Sequence, residues 1–500
     1  MGISNVAVKT FDSSGSQSLC RTNDYIGDEE VKSSFISKCQ KMYISGTGET
    51  VIAGSLRQFP TTNSTDTFYI NSDTDSISDM TFNIEFKLKR PDTASTAWNA
   101  SVSKDIILGL IDKVEIKLGS LTAHTMTADD IYIRNLTELG QPFTFSAPFE
   151  KTPNADINVW KYDTATGAGA DVIMIQAACS LPFIGRSNDM SRSLLQAGAL
   201  TNAVTVKVYY NNIYIDNSTA GNSHYQILSA GDVAATGNFL DTKYFKSSIK
   251  VRTHIITQTE KNFISKNVIH KVLNTSTNVT KEITRDTGIT NLEDGVTEIE
   301  VDLENVSLNV SHLLIGIRLP HVKDKKISVK SGVTATPGVA TGRPANDVNK
   351  VSTPFSVINS QTFYTPPAVS GVTAPDNLFG YMPDAIESME LVIGSDRTGF
   401  INGASAKIGT CENFALVNSD KNSAHYIVSL AEKAFDTAGV PFSKTNNKKL
   451  LIKLNKHIFK TAAVAPNPLS DSGYTQNATI AVTACGTKVQ SVVGGSMSFM

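Results

Sequence analysis

The chain has 500 residues, enough for roughly two to four packed units rather than one ordinary domain. Hydrophobic residues make up 40% of it and the formal net charge is −2, so the composition excludes a disordered chain and provides no overall field that attracts nucleic acid. Charged residues amount to 18%, below the usual level of about a quarter, whereas Ser, Thr and Asn are abundant. This balance favours strands and turns, and we predict an all-β protein.

Apolar and polar residues alternate in several segments, as expected for strands with one buried face. The pattern covers residues 82–88 and 204–210 in the first half of the chain. In the second half it recurs in TEIEVDL (297–303), HLLIGIRL (312–319), HYIVSL (425–430) and KKLLIKL (448–454). The apolar positions that we expect in the cores are Phe82, Ile84, Phe86, Val114, Ile116, Leu118, Met389, Leu391 and Ile393.

One segment, TADDIYIRNLTEL at 127–139, predicts a helix. Thr127 can cap its start, Asp129 and Asp130 suit the positive end of the helix dipole, and Gly140 follows the last turn. We interpret the two aspartates as adjacent acids on a solvated turn, because such pairs are common and point in divergent directions. Helices are otherwise expected to be few and short.

A sequence repeat links the two halves of the chain. Residues 111–120 read IDKVEIKLGS and residues 386–395 read IESMELVIGS, so Ile, Glu, Gly and Ser recur at matching positions. Each copy is an alternating strand that ends at a glycine, Gly119 or Gly394, where the chain can turn. Two homologous β domains explain the repeat, and a chance likeness between short amphipathic strands is the alternative.

Many short strands with long excursions between them suit jelly-roll sandwiches. We therefore predict two consecutive eight-stranded jelly-roll β-sandwiches, a double jelly roll, with long loops and few short helices. A polar stretch at 216–238 suggests the boundary between them. The predicted units are an N-terminal arm (1–24), a first jelly roll (25–220), a linker (221–240) and a second jelly roll (241–500) with a tower-like insertion near 330–376.

Several motifs resemble a known family when they are taken in order. DSISDMTFNIEFKL (75–88) followed by IILGLIDKVEIKLGS (106–120) resembles the first domain of the double jelly-roll major capsid proteins of nucleocytoplasmic large DNA viruses, such as phycodnaviruses, iridoviruses and mimivirus. Further similar pieces are LPF (181–183), GSDRTGF (394–400) and VSLAEKAFDTAGVPFSK (428–444). The last piece lacks the family's Asn and has Lys444 in place of Arg, which leaves a minor capsid component open.

The resemblance implies a structural capsid subunit without enzymatic activity, which forms homotrimeric, pseudo-hexagonal capsomers of an icosahedral shell. Its partners would be copies of itself, neighbouring capsomers and minor capsid proteins. Glycans and an internal membrane beneath the shell are left open as further contacts. The implied location is the virion capsid, assembled in the host cytoplasm, with no specific nucleic acid bound and no cofactor.

Motifs for catalysis or metal binding are absent from the sequence. None of the eight histidines forms an HExxH motif or an i, i+4 pair, and there is no Walker A loop and no GxSxG elbow. Hence we predict no catalytic, cofactor-binding or metal-ligating residue. The five cysteines show no CxxC spacing, which favours a reducing compartment. Neither a signal peptide nor an apolar run long enough to span a bilayer is expected.

Two further features have ordinary explanations. Nine Asn-x-Ser/Thr triplets are expected by chance in a chain this rich in Asn, Ser and Thr. The lysine runs at 323–330 and 444–456 lack interleaved aromatic residues and are interpreted as solvated strand faces. The alternative functions left open are a carbohydrate-binding jelly-roll surface or fibre protein, and a hydrolase on a β scaffold.

Overall fold

The protein is described from a computed structural model. The described residues are 46–54, 60, 64–70, 75–89, 99–103, 106–141, 143–146, 159–163, 172–183, 195, 197, 200, 203–210, 227–228, 240–255, 269–283, 298–318, 386–402, 425–431, 439–454, 478–493 and 496–499. The predicted N-terminal arm (1–24) and tower-like insertion (330–376) lie outside them.

Strands dominate the described part of the chain, and they are rich in the β-branched and aromatic residues that suit pleated surfaces. In the first half they are β1 (Gly46–Ala53), β2 (Thr65–Ile70), β3 (Ser76–Lys89), β4 (Asn99–Ser103), β5 (Ile111–Leu118), β6 (Leu121–Thr127), β7 (Thr144–Ser146), β8 (Val159–Asp163), β9 (Val172–Ser180), β10 (Val204–Tyr210), β11 (Ile227–Leu228) and β12 (Leu240–Ile255). The helices there are α1 (Ile106–Leu110) and α2 (Ala128–Leu139).

The second half continues with strands alone and one 3-10 turn at Phe442–Lys444, as far as the structure describes it. Its strands are β13 (Ile269–Ile283), β14 (Glu298–Asp302), β15 (Asn309–Arg318), β16 (Ile386–Ile393), β17 (Asp396–Asn402), β18 (His425–Ser429), β19 (Val440–Pro441), β20 (Lys448–Leu454), β21 (Ala478–Val493) and β22 (Ser496–Phe499).

Each half folds two antiparallel sheets against each other. Sheet 1A has the order β1-β12-β3-β9-β7 and sheet 1B the order β2-β10-β5-β6. Sheet 2A has the order β13-β21-β15-β18 and sheet 2B the order β14-β20-β16-β17. Each half has eight principal strands, which are β1, β2, β3, β5, β6, β9, β10 and β12 in the first half and β13, β14, β15, β16, β17, β18, β20 and β21 in the second. When these strands are numbered 1 to 8 along the chain, both halves have one sheet of order 1-8-3-6 and one of order 2-7-4-5. This shared order makes each half a jelly roll, and the predicted fold class is confirmed.

The predicted boundary between the jelly rolls is wrong. Strand β12 begins at Leu240 and pairs with β1 and β3, so it is the last strand of the first jelly roll rather than the first of the second. The sheets divide between Ile255 and Ile269 instead. The physical reason is the jelly-roll path, because the last strand must return beside the first and commonly follows a long connection. The polar stretch at 216–238 precedes that return strand.

The predicted core residues line the space between the paired sheets. All of them are buried in the two apolar clusters except Ile393, which is only partly buried against the second cluster. Aromatic rings join the two sheets of the first jelly roll: Phe82 of sheet 1A lies 6.4 Å from Phe68 and 6.3 Å from Tyr210, between ring centroids. These separations and the tilted geometries suit aromatic packing.

The two copies of the sequence repeat form equivalent strands. Both β5 and β16 are the fourth principal strand of their jelly rolls and lie beside the seventh and fifth strands. Gly119 and Gly394 follow them with φ of 65° and 68°, a left-handed conformation that favours glycine. The equivalent positions favour duplication over chance likeness.

The predicted helix is present as α2. The Thr127 hydroxyl oxygen accepts a hydrogen bond from the Asp130 backbone N–H at 3.3 Å, and Gly140 ends the helix with φ of 69°. These are the expected start and stop of a helix. Its position, however, is between the two jelly rolls, which the sequence did not indicate.

Candidate functional site

A cluster of buried polar residues lies where the two jelly rolls meet. Helix α2 and strand β6 of the first jelly roll lie against β13, β15 and β21 of sheet 2A. Sheet 2A is therefore buried on both faces: Leu313 belongs to the sandwich core, whereas the adjacent Leu314 is equally buried outside it. Leu273 of β13 even joins the apolar cluster of the first jelly roll.

Arg134 of α2 forms the centre of this junction and is fully buried. Its Nε and Nη2 donate to Glu138 Oε1 at 2.8 and 2.7 Å, an ion pair within one helix turn. Its Nη1 donates to the Ser276 hydroxyl of β13 at 3.0 Å and to the Pro182 carbonyl oxygen. One guanidinium thus joins the helix, the Leu-Pro-Phe step after β9 and the second jelly roll, using the several fixed donors that arginine offers.

A second polar contact crosses the junction beside Arg134. Asn278 of β13 donates from Nδ2 to the Thr127 hydroxyl at 3.5 Å and to the Thr483 hydroxyl at 3.3 Å. Asp130 is fully buried here, so its interpretation as part of a solvated turn is wrong. Burial raises the pKa of Asp130 to about 6, against the opposing effect of the Arg134 charge.

Two histidines near the junction are buried in neutral form. Burial, aided by repulsion from Arg134, lowers the pKa of His124 and of His312 to about 3. His312 Nδ1 lies 2.8 Å from the Ser311 hydroxyl, and the His124 ring packs on Phe183 with centroids 5.6 Å apart. In the part of the chain that the structure describes, no group of three or more His, Cys, Asp and Glu residues is placed to hold a metal ion.

The described cysteines are also structural in character. Cys179 and Cys485 are buried as free thiols, and burial raises the pKa of both. A thiol held in its protonated form is a poor nucleophile and a poor metal ligand.

One lysine of the second run departs from its predicted place on a solvated face. Lys448 is only 4% exposed, and its Nζ donates to the carbonyl oxygens of Glu304, Val306 and Phe442 at 3.2, 3.1 and 2.7 Å. The side chain therefore ties together two turns of the second jelly roll. The run at 323–330 lies outside the described residues.

Several Asn-x-Ser/Thr triplets are sterically closed to sugars. Asn135, Asn274 and Asn309 are buried, and Asn135 Nδ2 donates to the Ser180 carbonyl oxygen at 2.8 Å. Asn305, in contrast, lies on an exposed turn. The triplets at Asn63, Asn217 and Asn477 lie outside the described residues.

The outer face of sheet 1A carries a groove of about 390 Å³. It lies over the central strands β3, β9 and β12, with Asn83, Glu85, Gln176 and Lys246 among its lining residues. Glu85 accepts hydrogen bonds from the Tyr244 hydroxyl at 2.5 Å and from Gln176 Nε2 at 2.9 Å. The Tyr244 bond is the main reason that the pKa of Glu85 is lowered, so the groove holds a stable carboxylate.

The geometry makes the junction a buried connection, and the described residues leave the outer face of sheet 1A as an exposed polar surface. Sequence reasoning missed Arg134 and Ser276, since neither belongs to a motif. The available signal was local: HLLIGIRL was placed among the alternating strands, but its residues 312–315 are buried consecutively, which is typical of a strand covered on both faces. In the part of the chain that the structure describes, no helix is long and apolar enough to cross a bilayer.

No protein-family model matches the sequence, and no curated protein matches it. Solved structures match in fold. PBCV-1 VP54, fitted into a cryo-EM reconstruction of the virophage Sputnik, is 12% identical with a TM-score of 0.54, and the match covers 91% of this chain and 97% of that one. A quasi-atomic model of the PBCV-1 virus capsid gives 12% identity, a TM-score of 0.55 and the same coverage. The chain shares their fold.

This match confirms, for the fold, the resemblance to double jelly-roll capsid proteins that the sequence motifs indicated. The covered 91% of the chain necessarily includes most of both jelly rolls, so the similarity extends beyond a single sandwich. At 12% identity, strand order and the arrangement of the strands are retained while most residues differ.

Proposed function

We propose that the chain is a structural capsid subunit. In this proposal it associates as a homotrimer into a pseudo-hexagonal capsomer, and capsomers together with minor capsid proteins tile an icosahedral shell in the virion. Its role is assembly, and no catalytic step is assigned to it. The segment 1–24 would serve as an arm and 330–376 as an outward tower.

The observation that carries the proposal is the match in fold over nearly the full length of a capsid chain, with both jelly rolls included. The internal duplication supports the trimer in particular. Three copies of a chain with two similar jelly rolls present six similar units around one axis, so a three-fold particle can fill a site of nearly six-fold shape.

The junction at Arg134 supplies the stiffness that such tiling requires. A hinge between the jelly rolls would let the outline of the capsomer vary from copy to copy. The bond from the buried Arg134 to Ser276 opposes such a hinge, because separating the jelly rolls would break a hydrogen bond of a charged group and would expose the buried Leu273 and Leu314 to water.

The test is the native mass of the purified full chain by light scattering across a concentration series, with negative-stain images of the same peak. The expected result is a compact particle with a hexagonal outline and a mass of about 160 kDa, three times the 53.8 kDa of one chain. A chain that stays monomeric at high concentration would contradict the proposal. Glycan-binding assays on that monomer would then test the carbohydrate-binding alternative.

A further inference from the structure

Two buried histidines lie at the junction, one in each jelly roll. His124 belongs to β6 of the first jelly roll, and its ring packs on Phe183 with centroids 5.6 Å apart. His312 belongs to β15 of the second jelly roll and is paired with Cys485 of β21 across the two strands. Leu313, next to His312, belongs to the core of the second jelly roll. His312 and its strand partner therefore lie on the outer face of sheet 2A, which α2 covers.

Neither imidazole has a favourable place for a second proton while the junction is closed. Nε2 of His124 is buried and has no hydrogen-bond partner among the described residues, so no acceptor is available for a proton there. The Ser311 hydroxyl donates to the Cys485 carbonyl oxygen at 3.2 Å and lies 2.8 Å from His312 Nδ1. The oxygen of that hydroxyl can then accept from Nδ1–H, which leaves the buried Nε2 of His312 to take up the second proton.

We propose that the junction is an acid-sensitive switch, in which protonation of His124 and His312 drives the two jelly rolls apart. The rings take up protons in the open junction, where water hydrates them, and the closed junction excludes that water. Acid therefore shifts the population toward the open form without unfolding either sandwich. The inference goes beyond the proposed function, because the separation is a property of the single chain. Its use, to loosen a shell in an acidic compartment, rests on the proposed function.

Other titratable and charged groups around the two rings set the size of the response. They are Asp129, Asp130, Arg134 and Glu138 of α2, and Cys485 and Lys488 of β21. Arg134 and Lys488 are cationic and oppose a further positive charge on His124. Asp130 acts against the histidines, because burial raises its pKa to about 6 and the closed junction holds its proton more tightly than the open one.

The sign of the response follows from the protons bound in each form. Burial, aided by the Arg134 charge, lowers the pKa of both histidines from 6.5 to about 3, so opening takes up two protons in mild acid. The pKa of Asp130 is about 6 when buried and 3.8 when hydrated, so opening releases one proton there. The closed form is favoured above pH 6.5 and loses this advantage as the pH falls. We expect the opening constant to rise about 60-fold between pH 7 and pH 5.

Two cysteines of the chain report the opening. Cys485 lies at the junction, whereas Cys179 lies in the core of the first jelly roll. The full chain is treated with 4,4′-dithiodipyridine, which reacts with thiols in mild acid, and peptide mass spectrometry locates the labelled cysteines. Dividing each rate by that of the urea-unfolded chain at the same pH gives the protection of each thiol. We expect the protection of Cys485 to fall about 60-fold between pH 7 and pH 5, while Cys179 stays protected.

Substitution of either histidine tests whether these rings cause the response. His124→Phe keeps a ring against Phe183, and His312→Asn keeps an N–H donor toward Ser311. In either variant, the one remaining histidine is opposed by Asp130. We therefore expect the fall in thiol protection at the junction to shrink from about 60-fold to about threefold.

His254→Asn is the matched control. His254 is a buried histidine of β12 whose Nε2 lies 2.8 Å from the Ser78 hydroxyl, and the charged groups that act on it are Arg252 and Asp79. Its substitution should leave the fall in Cys485 protection at about 60-fold. A response that shrinks equally in this control and in the junction variants would overturn the switch.

Asp130→Asn keeps the test decisive if the histidine variants do not fold. The substitution removes the proton that opposes the histidines, so the fall in Cys485 protection should steepen to about 600-fold over the same range. A fall that is unchanged or smaller would overturn the switch. Loss of protection at Cys179 in parallel with Cys485 would also overturn it, since the sandwiches would then be unfolding rather than separating.

The outcomes separate this inference from the proposed function. If Cys485 stays protected at pH 5 in a chain that forms trimers, the switch is wrong and the capsid proposal stands. If the chain stays monomeric at high concentration and Cys485 still becomes reactive as expected, the proposed trimer is rejected and the switch stands.

Discussion

Sheet 1A and sheet 2A occupy the same place in their jelly rolls and differ in what lies on their outer faces. In sheet 1A, β3 alternates between buried and half-buried residues from Met80 to Lys87, with Phe82 directed to the core and Asn83 and Glu85 to the outer groove. In sheet 2A, β15 buries consecutive residues, because α2 covers the outer face. The difference shows how one duplicated fold provides an internal contact in one half and, among the described residues, leaves the equivalent face uncovered in the other.

The comparison also separates two kinds of Arg–Glu pair. The Arg134–Glu138 pair at the junction is almost fully buried. On sheet 2B, Arg397 Nη1 lies 3.1 Å from Glu390 Oε2, and the two side chains are 68% and 28% exposed. Removing a buried arginine leaves the charge of its carboxylate partner uncompensated in a medium of low polarity. In an exposed pair, the carboxylate that remains is hydrated by water instead.

The largest expected effect is that of Arg134→Met. We expect the free energy of unfolding in urea to fall by about 3–5 kcal/mol, because the buried Glu138 carboxylate loses its partner. Arg397→Met is the matched control and should cost less than about 1 kcal/mol. Equal losses in the two variants would show that the junction is no more important than a surface pair.

Gly486→Ala tests how closely sheet 2A is packed within itself. A Cβ at Gly486 of β21 would clash with the Asn309 carbonyl oxygen across the strand pair, next to the irregular register between Val310 and His312. The expected loss of unfolding free energy is about 3 kcal/mol.

Gly394→Ala is the control for that substitution. The added Cβ has no atom within 4 Å, so the free energy of unfolding falls only because alanine is strained at φ of 68°, by about 1 kcal/mol. If Gly486→Ala proves as mild as Gly394→Ala, the close approach of β15 and β21 is not rigid.

Lys448→Met tests a polar anchor within the second jelly roll. Removing the ammonium leaves three carbonyl oxygens without their donor, and we expect a loss of about 2 kcal/mol in urea unfolding. Lys453→Met, whose side chain is 43% exposed and pairs with Glu387 at 2.9 Å, should change stability by about 0.5 kcal/mol or less. If Lys448→Met leaves the free energy of unfolding unchanged, the lysine is solvated, as the sequence suggested.

Much of the fold follows from local patterns in the sequence. Alternation at 82–88 and 204–210 predicts the inward residues, because the two-residue period of a strand is a local property. Thr127 and Gly140 likewise predict the ends of α2, since capping depends on adjacent residues alone.

The features that the sequence did not reveal depend on distant pairing. Strand β12 was assigned to the wrong jelly roll because its partners β1 and β3 are more than a hundred residues away. Arg134 and Lys448 each resemble ordinary surface charges, and only the approach of remote backbone atoms makes them buried anchors. The family motifs indicated the double jelly roll, whereas the residues that join its two halves had no motif.

The last expected effect, similar in size to that of Lys448→Met, is the pH dependence that Asp130 brings to the junction. The pKa of Asp130 is about 6 in the folded protein and near 3.8 in the unfolded chain, so the folded state holds the proton more tightly. Its contribution to stability is present below the unfolded pKa and is lost as the pH rises through about 6. The free energy of unfolding of Asp130→Asn, relative to that of the natural chain, should therefore rise by on the order of 2 kcal/mol as the pH increases from 4 to 7.

The two buried histidines change stability with pH in the opposite direction to Asp130. Their contribution cancels when the variant is compared with the natural chain. His124 and His312 have folded pKa values of about 3, so they lower stability as the pH falls below 6.5 in both proteins. Their effect cancels in the difference between Asp130→Asn and the natural chain, measured by urea unfolding at each pH. Asp129→Asn, at the half-buried neighbour, is the control and should change less with pH because its side chain stays partly hydrated. A difference for Asp130→Asn that is constant with pH would mean that the carboxyl group is hydrated, and that the junction is more open than the contacts of Arg134 imply.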